Sequence, residues 1–306
     1  FILLLLSCKA IVFKKKYDLV YVFSGPPLIS LIICILNKML LKKSKIVFLI
    51  QDNNVFRISN NLLRKLWKAY IKFTIILSDV VIVLSEPMKD EVLKYFNKEK
   101  ARKASPKIKI LLNFCADLKK DQFKTNAEKS IDIIYAGNHG PGQDLTKFVD
   151  IISHINESHR PNISFYGEGV DKKNIIEYAK KLDVGIEFNN PVSRKDIKTI
   201  ISKSKLGLVC ISKSLSRYAF PSKLATYLSV GTKVIICSNG YDHLNDFIKD
   251  NDFGYLLDTS DIKSAASNLK YYLAKEQKID SELYQKVESM FGKNQYFDKL
   301  GDMLEL

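Results

Sequence analysis

In the stretch Phe220-Pro-Ser-Lys-Leu-Ala-Thr-Tyr-Leu-Ser-Val-Gly231, Ser222 and Lys223 open a helical pattern that follows a loop. A lysine at the positive end of a helix dipole is electrostatically misplaced unless an anion lies beside it. First-turn N–H groups attract phosphate, and a lysine can close over one as a compact point charge. Arg217, upstream on the same loop, offers a second cation. Glycines gather in two more loops, Tyr135-Ala-Gly-Asn-His-Gly-Pro-Gly-Gln-Asp144 and Tyr166-Gly-Glu-Gly169. Glycine there lets the main chain approach a ligand and turn N–H groups toward phosphate. Neither loop is a dinucleotide fingerprint or a Walker sequence, so one turn alone is unspecific. Three such turns at successive strand ends would face one ligand. The plainer alternative is a solvated Lys223 beside a proline that starts a helix.

The remaining chemistry-bearing residues are sparse. Asp52, in Gln51-Asp-Asn-Asn54, is either a carboxylate that orients a hydroxyl or an Asx-type cap before the next helix. Glu168 and Glu187 read as solvated residues at loop and strand ends. The four histidines are dispersed, and only His139 falls in a candidate loop. The five cysteines form no C-x-x-C pair, which argues against zinc and suits a reducing compartment.

The elements that must position these loops alternate along the whole chain. Apolar runs at 17–23, 45–50, 79–85 and 107–113 are separated by segments of helical period, as a parallel sheet buried on both faces requires. The polar segment 114–130 has neither period. After it, strands at 131–137, 163–169, 184–188, 206–211, 233–238 and 253–257 alternate with helices at 144–156, 171–182, 193–203, 221–229, 242–250 and 260–275. The fold class is α/β, with two doubly wound units whose strand ends leave a ligand crevice. The expected boundaries are 1–120, 121–290 and a C-terminal helix in 291–306 that packs back toward the first unit.

Charge is distributed unevenly. Of 48 Lys/Arg and 33 Asp/Glu, residues 1–125 hold 24 and 9, so the net +15 lies entirely in the first part. Such a half expects an anionic partner. Nucleic acid fits poorly, because basic strands with exposed stacking aromatics are missing. A membrane surface fits better. The apolar opening Phe1–Phe13, Lys14–Lys16 and the helical segment 60–77 combine apolar and cationic groups. In that segment Arg64, Lys68 and Lys72 line up beside Leu63, Leu66, Trp67, Tyr70 and Phe73; the plainer reading is a helix packed on its sheet with solvated lysines. The opening is too short to span a bilayer and lacks the features of a signal peptide. It reads as the end of a helix whose start precedes the chain.

The succession Tyr17–Pro27, Ser78–Leu93, Lys109–Leu118, Ile133–Leu145, Tyr166–Ile175, Phe188–Ile197 and Phe220–Gly240 resembles the GT-B glycosyltransferases of family 4, also called group 1. The likeness covers nearly the whole chain and is most specific around Pro221-Ser-Lys223. Within the group it is most similar to bacterial enzymes of O-antigen, capsule or exopolysaccharide synthesis. The resemblance implies two Rossmann-like domains, the first incomplete, with the donor in the second and the acceptor in the first. It implies a retaining, metal-independent transfer, with no cofactor beyond the nucleotide diphosphate sugar itself, UDP-type favoured. The acceptor would be a lipid-linked saccharide, and the enzyme would be peripheral on the cytoplasmic face of the plasma membrane. Matched residue by residue, Gly137, Asn138, Gly140, Arg217, Ser222 and Lys223 would hold diphosphate and sugar. Gly167, Thr226 and the stretch from Phe188 to Val192 would lie at ribose and base.

This sequence also departs from the pattern. Two glutamates common around the last helix are Tyr218 and Thr226, and a loop Arg and Lys are Asn138 and Gln143. A histidine after the third strand is Gln51, which leaves Asp52 as the carboxylate of that loop. Two other readings share the architecture: a nucleotide-sugar 2-epimerase, and a non-catalytic assembly subunit.

Overall fold

The computed structural model describes residues 17–26, 28–39, 44–51, 58–115, 118, 120, 123, 129–212, 220–239, 243–275 and 281–305. Asp52, Arg217 and the apolar, lysine-ended opening lie outside the described residues. The chain divides into two compact units, residues 1–112 with 297–306, and residues 113–296.

The first unit holds a parallel sheet in the order β1-β2-β3-β4, formed by Leu19–Phe23, Lys45–Ile50, Val80–Val83 and Ile108–Ile110. Its central strands are buried on both faces, which explains why they read as unbroken apolar runs. Helices α1 (Ile29–Met39), α2 (Asn61–Leu77), α3 (Glu86–Leu93) and α4 (Lys98–Ala104) connect or follow the strands. Asn60 caps α2 by accepting from the N–H groups of Leu62 and Leu63, the task Asn performs at an N-cap.

The expected face of α2 is corrected here. Tyr70 turns inward, 4% exposed, and its hydroxyl donates to the Ser24 carbonyl at 2.9 Å. Trp67 packs against the core. The outer face carries Leu63, Leu66 and Phe73 as expected, joined by Leu62 and Ile76 in place of Trp67 and Tyr70. Lys68 and Lys72 lie over the rings of Tyr95 and Phe96 at 5.1 and 5.7 Å. A helix apolar on most sides leaves periodicity unable to choose which stripe meets the sheet. The sheet took Tyr70, Ile71, Thr74 and Ile75.

The second unit holds six parallel strands in the order β10-β9-β8-β5-β6-β7. These are β5 (Ile131–Ala136), β6 (Ile163–Tyr166), β7 (Glu187–Asn189), β8 (Ser204–Cys210), β9 (Lys233–Ser238) and β10 (Gly254–Asp258). The helices between them are α5 (Leu145–Ser153), α6 (Lys172–Lys181), α7 (Arg194–Ser202), α8 (Ser222–Leu228), α9 (His243–Asp250) and α10 (Ile262–Ala274). Helices α11 (Ser281–Phe291) and α12 (Lys293–Leu304) close the chain. Residues 297–306 belong to the first unit, within which Lys45 donates to the carbonyl of Leu304.

Packing follows from periodicity. In α5, Leu145, Phe148, Val149 and Ile152 fall on one side and are fully covered, meeting Tyr135 and Phe165 in the core. Each such side chain contributes roughly 1.5–3 kcal/mol on burial. The strand order reverses between β5 and β8: β6 and β7 grow outward on one side, β9 and β10 on the other. That reversal is the switch point where doubly wound sheets open a crevice at their carboxyl ends.

Candidate active site

A cavity of about 610 Å³ opens at this switch point. That volume lies within the range of small-molecule sites. Its wall includes Gly137 and Asn138 after β5, Gly167 and Glu168 after β6, Val192 and Arg194 near the start of α7, and Ser222, Lys223 and Thr226 of α8. All three turns singled out in the sequence therefore contribute to one space, together with Val192. Gly140 and Phe188 do not line it. Gly140 lies against the Asn138 amide, and the Phe188 ring packs edge-on to Phe165 at 5.5 Å.

Lys223 is the centre of the arrangement. Its arm lies across Gly137, where an added Cβ would stand 2.2 Å from Cε and 2.9 Å from Nζ. Gly137 has φ +149°, and together these two features reserve the position for glycine. The ammonium donates to Gln143 Oε1 at 2.9 Å and lies 5.0 Å from the centre of the Tyr135 ring. Gln143, where the family resemblance anticipates a cation, is thus the acceptor that holds this one. Burial draws the Lys223 pKa down to about 8, and the Cys210 thiol opposes that shift.

The loops are braced from behind. Tyr227 is fully buried, and its hydroxyl accepts from Ala136 N at 2.9 Å and donates to Leu208 O at 3.2 Å. One side chain thereby ties α8 to β5 and β8. Gly207 makes room for its ring: a Cβ there would fall 2.5 Å from Tyr227 Cγ. Gly167, with φ +137°, brings the second turn so close that a Cβ would stand 2.0 Å from the Gly137 carbonyl oxygen. Main-chain bonds from Gly137 N to Tyr166 O and from His139 N to Glu168 O, at 2.9 and 2.8 Å, join the two turns. Thr226 Oγ1 donates back to Ser222 O at 3.3 Å while lining the cavity.

Sequence reasoning missed Arg194, Tyr166, Ile197, Ile201 and Tyr227, all of which line the cavity, whereas Pro191 falls within the stretch expected at the base. Arg194 opens α7 behind the Ser193 cap, whose hydroxyl accepts from Asp196 N at 3.2 Å. That cap was visible in Ser-Arg-Lys-Asp and could have flagged the position. Glu168 lines the wall yet is paired with Lys172 at 2.7 Å. Among the described residues, no group of three or more His, Cys, Asp or Glu gathers as metal ligands would.

Residues 117–290 match the family described as Glycosyl transferases group 1. Among solved structures, the chain is similar to sucrose-phosphate synthase from Thermosynechococcus elongatus, with TM-score 0.72, 13% identity, and coverage of 97% of this chain and 75% of that one. It is similar to the lipopolysaccharide outer core galactosyltransferase WaaB, with TM-score 0.67, 14% identity, and coverage of 98% and 78%. It is also similar to S. aureus TarM, solved with UDP bound, with TM-score 0.65, 15% identity, and coverage of 87% and 52%. The chain thus spans about half the length of TarM. These likenesses identify the fold as GT-B, in keeping with two Rossmann-like units. No curated protein sequence matches the chain.

Proposed function

The chain belongs to the group 1 glycosyl transferases, and on that premise we propose that it moves a sugar from a UDP-type donor to a lipid-linked saccharide. The transfer retains configuration at the anomeric carbon and uses neither metal nor cofactor. The bond from the anomeric carbon to the diphosphate breaks, a bond to the acceptor oxygen forms on the same face, and the acceptor hydroxyl's proton passes to the departing diphosphate. The negative charge that develops falls on the departing nucleoside diphosphate, so a fixed cation beside that diphosphate lowers the barrier.

The observation that carries the reading is the Lys223 ammonium laid over Gly137 at the cavity wall. Asn138, Ser222 and the main chain of Gly137 complete the diphosphate end. Gly167, Thr226, Val192 and Arg194 form the ribose and base end. Arg217 adds a second cation, an assignment that rests on the resemblance, and Asp52, as the carboxylate of its loop, orients the acceptor hydroxyl. The UDP bound in TarM supports a uridine donor.

The lipid half of the proposal is supported by α2. Its outer face exposes Leu62, Leu66, Phe73 and Ile76, with Lys65, Lys68 and Lys72 beside them and no acidic residue in the helix. That combination suits a helix lying in an anionic interface, where each lysine contributes about 1 kcal/mol. Among the described residues, no helix is long and apolar enough to cross a membrane. The enzyme would sit peripherally on the cytoplasmic leaflet.

The decisive test is Lys223→Ala in the full-length protein, with UDP binding by calorimetry and UDP release in the presence of a supplied polyprenyl-diphosphate saccharide. Loss of a charge-assisted bond of about 1.5–3 kcal/mol weakens binding roughly 10- to 100-fold. Unchanged affinity and turnover would remove Lys223 from the site. Turnover unaffected by EDTA is expected alongside.

A further inference from the structure

His139 is not used by the proposed transfer, yet it occupies the joint between the two glycine turns. Its side chain is fully buried, and neither ring nitrogen makes a well-formed hydrogen bond. The ring stands edge-on to Tyr135 at 5.2 Å and tilted against Phe165 at 6.0 Å. Its Cε1 lies 3.3 Å from where a Cβ on Gly167 would be. The main chain of the same residue donates from N to Glu168 O at 2.8 Å and accepts from Asp171 N at 2.9 Å. A Cβ on Gly169 would stand 2.3 Å from the His139 carbonyl oxygen. One residue therefore fastens the turn after β5 to the turn after β6 through both its main chain and its ring.

We propose that His139 is a positioning residue that holds the two turns together only as a neutral imidazole, so that protonation releases them and opens the phosphate end of the cavity. A buried imidazolium needs an acceptor for each of its two ring protons; the Glu168 main chain draws toward the ring as one, and neither nitrogen makes a well-formed hydrogen bond. The titratable and charged groups around the ring are Tyr135 from β5, Glu168, Asp171 and Lys172 from the turn leading into α6, and Lys223 from α8. Glu168 is engaged by Lys172 at 2.7 Å. Burial, first, and then the Lys172 ammonium hold the imidazole below its ordinary pKa; the Glu168 main chain and then the Glu168 carboxylate oppose them, and Lys223 adds a last, smaller push downward. The sign follows: the fastened form binds fewer protons than the released form. Its advantage is therefore complete above the ordinary histidine pKa of about 6.5 and is lost as pH falls below it.

The link from the turns to the transfer rests on reading the cavity as a donor site, so the test separates the two. Hydrogen exchange of peptides covering 136–142 and 166–172, corrected for intrinsic rates, is followed in the full chain between pH 7.5 and 5.5. UDP binding is measured across the same range. Linkage to a single group gives about a tenfold rise in opening over that interval. The rise is expected in the wild-type protein and absent in His139→Leu. A rise of equal size in both proteins, or none in the wild type, overturns the proposal. Should the leucine variant fail to fold, the imidazole resonance of wild-type His139 decides: titration at the ordinary pKa with no change in turn exchange also overturns it. Exchange that follows His139 without UDP binding at any pH sustains the joint and overturns the donor reading instead.

Discussion

Lys223 joins geometry to chemistry at the scale of one residue. Because its pKa in the free site is about 8, the ammonium is fully present at lower pH and disappears as pH rises through that value. An anion bound beside it favours the charged form, so binding draws in a proton. At pH 8.5 UDP binding should take up about 0.8 proton, read from calorimetry in buffers of different ionisation enthalpy. Lys223→Arg should abolish that uptake, since a guanidinium does not titrate in this range. Uptake of the same size in the arginine variant would assign the proton elsewhere. Stability obeys the same linkage. The folded lysine binds protons less readily than the unfolded one, so between about pH 8 and 10.5 its contribution makes the protein more stable as pH rises.

At the scale of elements, the site depends on how closely loops approach one another. Gly167→Ala places a methyl group against the Gly137 carbonyl in a backbone conformation that L-residues rarely adopt. The strain alone costs about 1–3 kcal/mol, and UDP binding should fall more than tenfold even where the variant remains folded. Tyr227→Phe removes the hydroxyl that joins Ala136 N to Leu208 O. A buried N–H left unpaired costs about 1–3 kcal/mol. For a unit of this size, each kcal/mol lowers the melting temperature by about 2–4 °C. An unchanged melting temperature would show that the bridge carries no net stability. The strands and helices around these loops were legible in the sequence, since β9 is six buried residues of which the five after Lys233 are apolar or small. The inner face of α2 was not, because several of its faces are apolar enough to pack.

At the scale of the whole molecule, the charge asymmetry and the exposed stripe of α2 lead to one expectation. The protein should sediment with vesicles containing phosphatidylserine and leave phosphatidylcholine vesicles in solution, with binding that weakens as salt rises. Leu66→Asp together with Phe73→Asp should abolish sedimentation while UDP binding persists. Equal sedimentation of wild type and double variant would displace α2 as the contacting element. Two units were foreseen from the restart of the strand–helix pattern after the polar segment at 114–130. The structure draws its boundaries at 1–112 with 297–306, and 113–296.

Amphipathic period, glycine and proline punctuation and local caps act over a few residues, so the sequence by itself determined the alternation of strands and helices and pointed to three loops. It determined the sign and placement of charge as well. Strand order, and with it the switch point between β5 and β8, was decided by pairing between segments far apart in the chain. So were the partnership of Lys223 with Gln143, the bridge made by Tyr227 and the presence of Arg194 in the wall. Distance along a chain carries no information about such contacts. They exist only once burial of both sheet faces has brought the carboxyl ends of the strands to one place.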